Sequence, residues 1–147
     1  MKAADSVLVL AAVAAAGIAL SQRQHRQQLD LQAVALHQAW ITDAASSPDL
    51  ANLWAAGSGQ ATPEYTNLLR ANRVMALLCA KFRVGLLNQH ALRVQARWLM
   101  ERPIGRQYWK MHGAFREEEA TDGRTRAFNR IMSDEYIAVS DRTTAAA

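Results

Sequence analysis

From Ser6 to Ser21 the chain reads Ser-Val-Leu-Val-Leu-Ala-Ala-Val-Ala-Ala-Ala-Gly-Ile-Ala-Leu-Ser, sixteen residues without a charge. No other segment constrains the fold as much. A helix docked on a domain surface keeps a polar face for water, and this one has none. Sixteen residues span about 24 Å as a helix, short of a hydrocarbon core of roughly 30 Å. Counting from Ala3 extends the span to about 28 Å but takes in Asp5. Val7, Leu8, Val9, Leu10, Val13, Ile18 and Leu20 supply most of the apolar character, because alanine adds little. Lys2 and the Ala14-Ala15-Ala16 run match a cleavable signal, but Asp5 dilutes the basic start and Ile18 to Leu20 carry the apolar pattern past the site. A membrane anchor is the reading the residues favour over a core helix or a cleaved signal.

Sidedness follows from the basic residues around the span. Lys2 precedes it, whereas Arg23, His25 and Arg26 follow at once and would lie at the membrane surface. This excess places the body of a single-pass protein on the cytoplasmic side; the alternative is a domain secreted after signal cleavage. Cys79 is the only cysteine, so no intramolecular disulfide exists, in keeping with a reducing compartment. Seventeen basic residues, fourteen of them arginine, stand against thirteen acidic ones. Beside an anionic leaflet each basic residue gains about 1 kcal/mol, which accounts for the charge without nucleic acid.

Strand signals are nearly absent and helix signals recur, so an all-α chain is expected: a transmembrane or anchor helix continuing into a single bundle of about five further helices. The divisions are 1–22 for the anchor, 23–139 for the helical domain and 140–147 for a frayed tail. The anchor runs on into an amphipathic stretch, with Leu29, Ala33, Leu36 and Trp40 on one stripe and Leu31, Val34 and Ile41 on its neighbour. An arc that wide predicts burial within a bundle. Ser47-Pro48-Asp49 starts a short helix with Leu50, Leu53 and Trp54, ending at Gly57. Thr62-Pro63-Glu64 opens the next by the same chemistry. Its inward face carries Leu68, Leu69, Asn72, Met75, Cys79 and Phe82, and Gly85 stops it. Asn88 caps a further helix, Pro103 breaks the chain, and a helix from about Ile104 closes at Glu117-Glu118-Glu119 and Asp122-Gly123. The last runs from about Thr125 to Val139.

Gly105-Arg106-Gln107-Tyr108-Trp109, Arg126-Ala127-Phe128 with Ile131 and Asp134-Glu135-Tyr136, Ser47-Pro48-Asp49-Leu50 with Trp54, and Phe82-Arg83-Val84-Gly85 form a familiar pattern. Together they resemble a family of small actinobacterial proteins of unknown function, over most of residues 20 to 138. The resemblance implies one N-terminal membrane segment and an all-helical domain, and it implies no activity. The chain departs from the family in its middle helix, where Met75 and Cys79 stand in place of aromatic residues.

Chemistry-bearing patterns are sparse. His25, His37, His90 and His112 lack partners at the i+3 or i+4 spacing of helical metal sites, so no metal and no cofactor are expected. Cys79 lies on an apolar stripe and reads as a core thiol. Asp134 and Glu135 diverge by about 100° on a helix, which suits ion pairing, with Arg130 as the expected partner of Asp134. Arg93 with Arg97 and Arg126 with Arg130 make short basic rows flanked by acids, and nucleic acid is not expected. Arg106, Trp109 and His112 share one helical stripe. They are the candidate ligand-binding residues, suited to clamping an anionic planar molecule; the structural alternative puts Trp109 in the core. The function that results is unknown in its biochemistry: a non-catalytic, membrane-anchored helical interaction module with a basic surface. Its partners are membrane lipid and a protein or second copy, the latter through Ala12, Ala15 and Ala16. The alternative is a small-ligand receptor or enzyme with a pocket at Arg106, Trp109 and His112.

Overall fold

The computed structural model describes residues 2–145, with side chains from 7 to 142 and at 145. The expectations that rest on the Lys2 and Asp5 side chains and on the last two residues of the tail lie outside this range. Six helices follow one another: α1 (Lys2–Ser46), α2 (Pro48–Ser58), α3 (Thr62–Arg83), α4 (Gln89–Met100), α5 (Pro103–Glu118) and α6 (Gly123–Ala145). The chain is all-α among the described residues, and the apolar segment continues into the second amphipathic stretch as one helix, as its uninterrupted pattern predicts.

Local chemistry sets most helix ends. Ser47 caps α2 ahead of Pro48, and the Asn88 side chain accepts from the Ala91 N–H at 2.8 Å. At the end of α3, Leu86 N–H donates to the Lys81 carbonyl (2.9 Å) and Gly85 N–H to that of Phe82 (3.2 Å). These are the two bonds of a Schellman motif, and Gly85 takes the φ of +85° that the motif requires. Three ends differ from expectation. Thr62 is the first residue of α3 and not its cap, and its hydroxyl bonds Asn52 Oδ1 of α2. Asp122 caps α6 rather than closing α5: its Oδ1 accepts from the N–H groups of Arg124 (2.8 Å) and Thr125 (2.9 Å). With that cap in place α6 starts at Gly123, and it runs on to Ala145, past the expected end at Val139.

Two apolar clusters hold the bundle. The larger joins α3 to α6 through Leu68, Met75, Leu78 and Phe82, Leu92, Ala96, Leu99 and Met100, Tyr108 and Trp109, then Phe128, Ile131 and Met132. The smaller is Ile41 and Ala44 of α1 with Leu69 of α3, flanked by Ala45 and Tyr65. The helix α1 packs against α2 and α3 and has no contact with α4, α5 or α6 among the described residues. It runs antiparallel to α3: Gln38 and Arg73 exchange bonds at 2.9 and 3.0 Å, and Asp30 meets Arg83 at 3.0 Å.

This attachment overturns the wide buried arc expected of α1. Leu29, Leu31, Leu36 and Trp40 remain exposed, because among the described residues α1 is met by α3 along one seam and by α2 near its end. In α2 the outcome is similar. Ala51 and Ala55 are buried, whereas Leu50, Leu53 and Trp54 face outward. Trp54 meets Trp40 edge to face at 5.6 Å, joining the exposed apolar residues of the two helices into one patch.

A candidate ligand groove between the first and fifth helices

Both α1 and α5 pack on α3, and among the described residues their backbones stay apart. The space left between them is a groove of about 710 Å³. Val34, His37 and Trp40 line it from α1, Leu68, Leu69 and Asn72 from α3, and Met111, His112 and Phe115 from α5. Gln60, in the α2–α3 connection, also lines it, and Arg83 and Asp30 lie where α1 continues toward its apolar half. A volume in the range of roughly 300–1,000 Å³, mostly apolar and with a few polar groups, is the usual form of a small-molecule site.

Three of the polar groups form one network, and Glu119 also lines the groove. Arg116 donates from Nε to the Tyr108 hydroxyl (3.0 Å) and from Nη2 to Asn72 Oδ1 (2.8 Å). The Tyr108 hydroxyl in turn donates to Asn72 Oδ1 at 2.7 Å. Among the described residues no carboxylate lies within 4 Å of the Arg116 guanidinium, which is therefore held by neutral acceptors alone. Its backbone is fixed as well, since Asn129 Nδ2 donates to the Arg116 carbonyl at 2.6 Å. Asn129 is buried, and its Oδ1 has no partner among the described residues. Burial pushes the Tyr108 hydroxyl above its ordinary pKa, against the pull of Arg116. The His112 ring packs on Tyr108 at 4.8 Å, and burial followed by the Arg116 charge lowers its pKa. Histidine and tyrosine thus both favour their neutral forms around one fixed positive charge.

Of the three residues singled out from sequence, only His112 lines the groove. Trp109 is 4 % exposed and belongs to the main core. Its indole lies against Gly113, where a Cβ would stand 3.1 Å from Nε1. The Arg106 side chain turns back to the end of α4 and donates to the carbonyls of Met100 (2.7 Å) and Glu101 (3.1 Å). The shared stripe therefore divides between core, helix cap and groove. Arg23, His25 and Arg26 are exposed on α1 immediately beyond the apolar run.

Other sequence candidates find structural partners. Arg97 makes a two-pronged pair with the buried Glu135 (3.0 and 3.4 Å), and Arg93 meets Asp134 at 3.3 Å. The expected ion pairing of Asp134 is present, with an arginine of α4 in place of Arg130. Cys79 packs against the main core, and burial raises its thiol pKa. Among the described residues no group of three or more His, Cys, Asp or Glu side chains gathers as a metal site. Sequence reasoning passed over Arg116, Tyr108 and Asn72 as a unit. Its one visible sign is Asn72, a polar residue on the otherwise apolar inward face of α3.

No curated protein and no solved structure matches the chain. A model of a family of unknown function (DUF6082) matches residues 1–147, and the chain belongs to that family.

Proposed function

We propose that this protein is a membrane-anchored helical interaction module that acts by binding rather than catalysis. One observation carries the reading. Every described side chain from Val7 to Arg26 is exposed, and the large apolar ones among them are 60–70 % exposed. A core helix would bury this surface inside the protein, and here none of it is buried. What remains is a helix whose apolar surface calls for lipid, as an anchor or a signal sequence does. Its rigid continuation into the seam with α3 supports anchoring, since the same helix then holds the domain at the bilayer. The excess of Arg23 and Arg26 over Lys2 supports a cytoplasmic body. The exposed patch of Trp40, Leu50, Leu53 and Trp54 supports an interaction role, because contiguous apolar surface on a soluble domain marks contact sites.

Carbonate extraction of a C-terminally tagged full-length protein, with protease added from each side, tests this. A membrane-retained, full-length product with its tag protected inside the cell is the expected result. A shortened product in the extracellular medium would establish a cleaved signal and overturn the anchored reading.

A further inference from the structure

From the groove geometry we infer a binding site for a long-chain fatty acid, its carboxylate on Arg116 and its acyl chain along the apolar lining between α1 and α5. The inference deepens the binding-module reading and rests on it. Three features lead to this ligand class.

The first is charge. Arg116 is half-buried and has no carboxylate within 4 Å among the described residues, and two neutral acceptors hold its plane in place. Among the described residues its Nη1 N–H groups enter no bond, so a guanidinium edge is left for an incoming anion. A carboxylate suits such an edge, as charge-assisted bonds to guanidinium are short and directional. A single unpaired cation also matches a monoanion better than a phosphate monoester. The other arginine of the groove, Arg83, is already shared between Asp30 (3.0 Å) and Asp122 (3.8 Å).

The second is the lining. Val34, Leu68, Leu69, Met111 and Phe115 supply the apolar part of the lining, to which Ser58, Gln60 and Glu119 add polar groups. The apolar groups offer dispersion and no hydrogen bonds, which suits a hydrocarbon chain. Methionine and exposed phenylalanine also adapt to a flexible ligand.

The third is access. Asp30, at one end of the groove, stands nine residues after Ser21, about 14 Å along the same helix. An amphiphile dissolved in the bilayer therefore enters the groove without a long passage through water.

The test uses the full chain in phosphatidylcholine nanodiscs with a diazirine-bearing palmitic acid, and with the matching fatty alcohol as control. Labelled residues are mapped by mass spectrometry. Labelling by the acid at Trp40, Tyr65, Met111 or Phe115 is expected, with a loss of roughly tenfold or more in Arg116→Gln and with the alcohol. Labelling confined to residues 7–21, or groove labelling unchanged by Arg116→Gln, overturns the site. If Arg116→Gln fails to fold by circular dichroism, the acid and the alcohol are compared on the unaltered chain instead. Labelling at Trp40 and Tyr65 is expected from the acid alone, and equal labelling by the alcohol there overturns the site equally. A chain that does not enter the nanodisc refutes anchoring. One that enters but is labelled only in its apolar helix refutes the groove ligand alone.

Discussion

At Gly105 a hydrogen atom stands where any other residue would press a methyl group into the end of α4. A Cβ there would collide with the Leu99 carbonyl oxygen and sit 2.9 Å from its carbon. Backbone atoms cannot swing aside as a side-chain tip does, so Gly105→Ala is expected to cost about 1–3 kcal/mol in urea unfolding. Gly123, with nothing within 4 Å of its Cβ position, supplies the contrast: Gly123→Ala is expected to be neutral or to stabilise by up to about 1 kcal/mol. His112 is a residue-scale sensor of pH. Its pKa in the folded protein lies below the unfolded value of about 6.5, first through burial and then through Arg116. The unfolded chain therefore takes up the proton first as pH falls. The stability tied to the neutral ring is complete above that value and declines as pH drops below it toward the folded pKa. Thermal unfolding between about pH 5 and 7 checks this, and His112→Gln is expected to flatten the slope in that window.

Helix termini explain much of the arginine content. Arg106 closes the end of α4, and Arg124 Nη1 donates to the Phe82 (2.9 Å) and Arg83 (3.0 Å) carbonyls at the end of α3. Arg126 reaches the Ala120 and Thr121 carbonyls beyond α5. These ends carry unpaired carbonyls and the negative pole of the helix, so a long cationic donor satisfies both. Such roles, and the pairs of Arg93 and Arg97, leave less free positive surface than the composition implies. At the opposite pole Asp122 caps α6, its carboxylate held below the ordinary range chiefly by the Thr125 hydroxyl at 2.6 Å. Asp122→Ala is expected to cost about 1 kcal/mol, measured by denaturant unfolding near neutral pH. The stabilisation is present above the unfolded pKa near 3.9 and disappears as pH falls through the lower folded value. The mutant and parent curves should therefore converge in acid.

At the scale of the whole molecule, the two apolar clusters begin at Ile41 and, among the described residues, draw nothing from the first turns of α1. Removal of residues 2–22 is therefore expected to release the protein from membranes while leaving its unfolding free energy unchanged within about 0.5 kcal/mol. Urea unfolding of the shortened chain, compared with the full chain in nanodiscs, checks the second half. A large loss would mean that the apolar helix contributes to the fold itself. Attachment of α1 to α3 through a narrow seam also creates the groove, because α5 reaches the same helix from the other side without closing the gap.

The sequence by itself determined the helical class, the apolar first segment and many of the helix ends. Proline at a first turn, asparagine at a cap and Gly85 at φ +85° act through neighbours within a few residues, so their meaning survives without the fold. The buried face of α3 was legible as well, since Leu68, Leu69, Met75 and Phe82 are buried as its periodicity implies. The buried faces of α1, α2 and α5 were decided only by tertiary structure. In α2, which packs on both α1 and α3, close approach selected Ala51 and Ala55 over Leu53 and Trp54. On α5 one stripe was divided, with Trp109 drawn into the core, Arg106 turned to a helix end and His112 left at the groove. Arg116, Tyr108 and Asn72 became a site in the same way. They stand 8 to 44 residues apart, and only the packing of α5 on α3 brings their polar atoms within 3.0 Å. Helical periodicity states which residues share a face, whereas the partner's shape decides which face is covered.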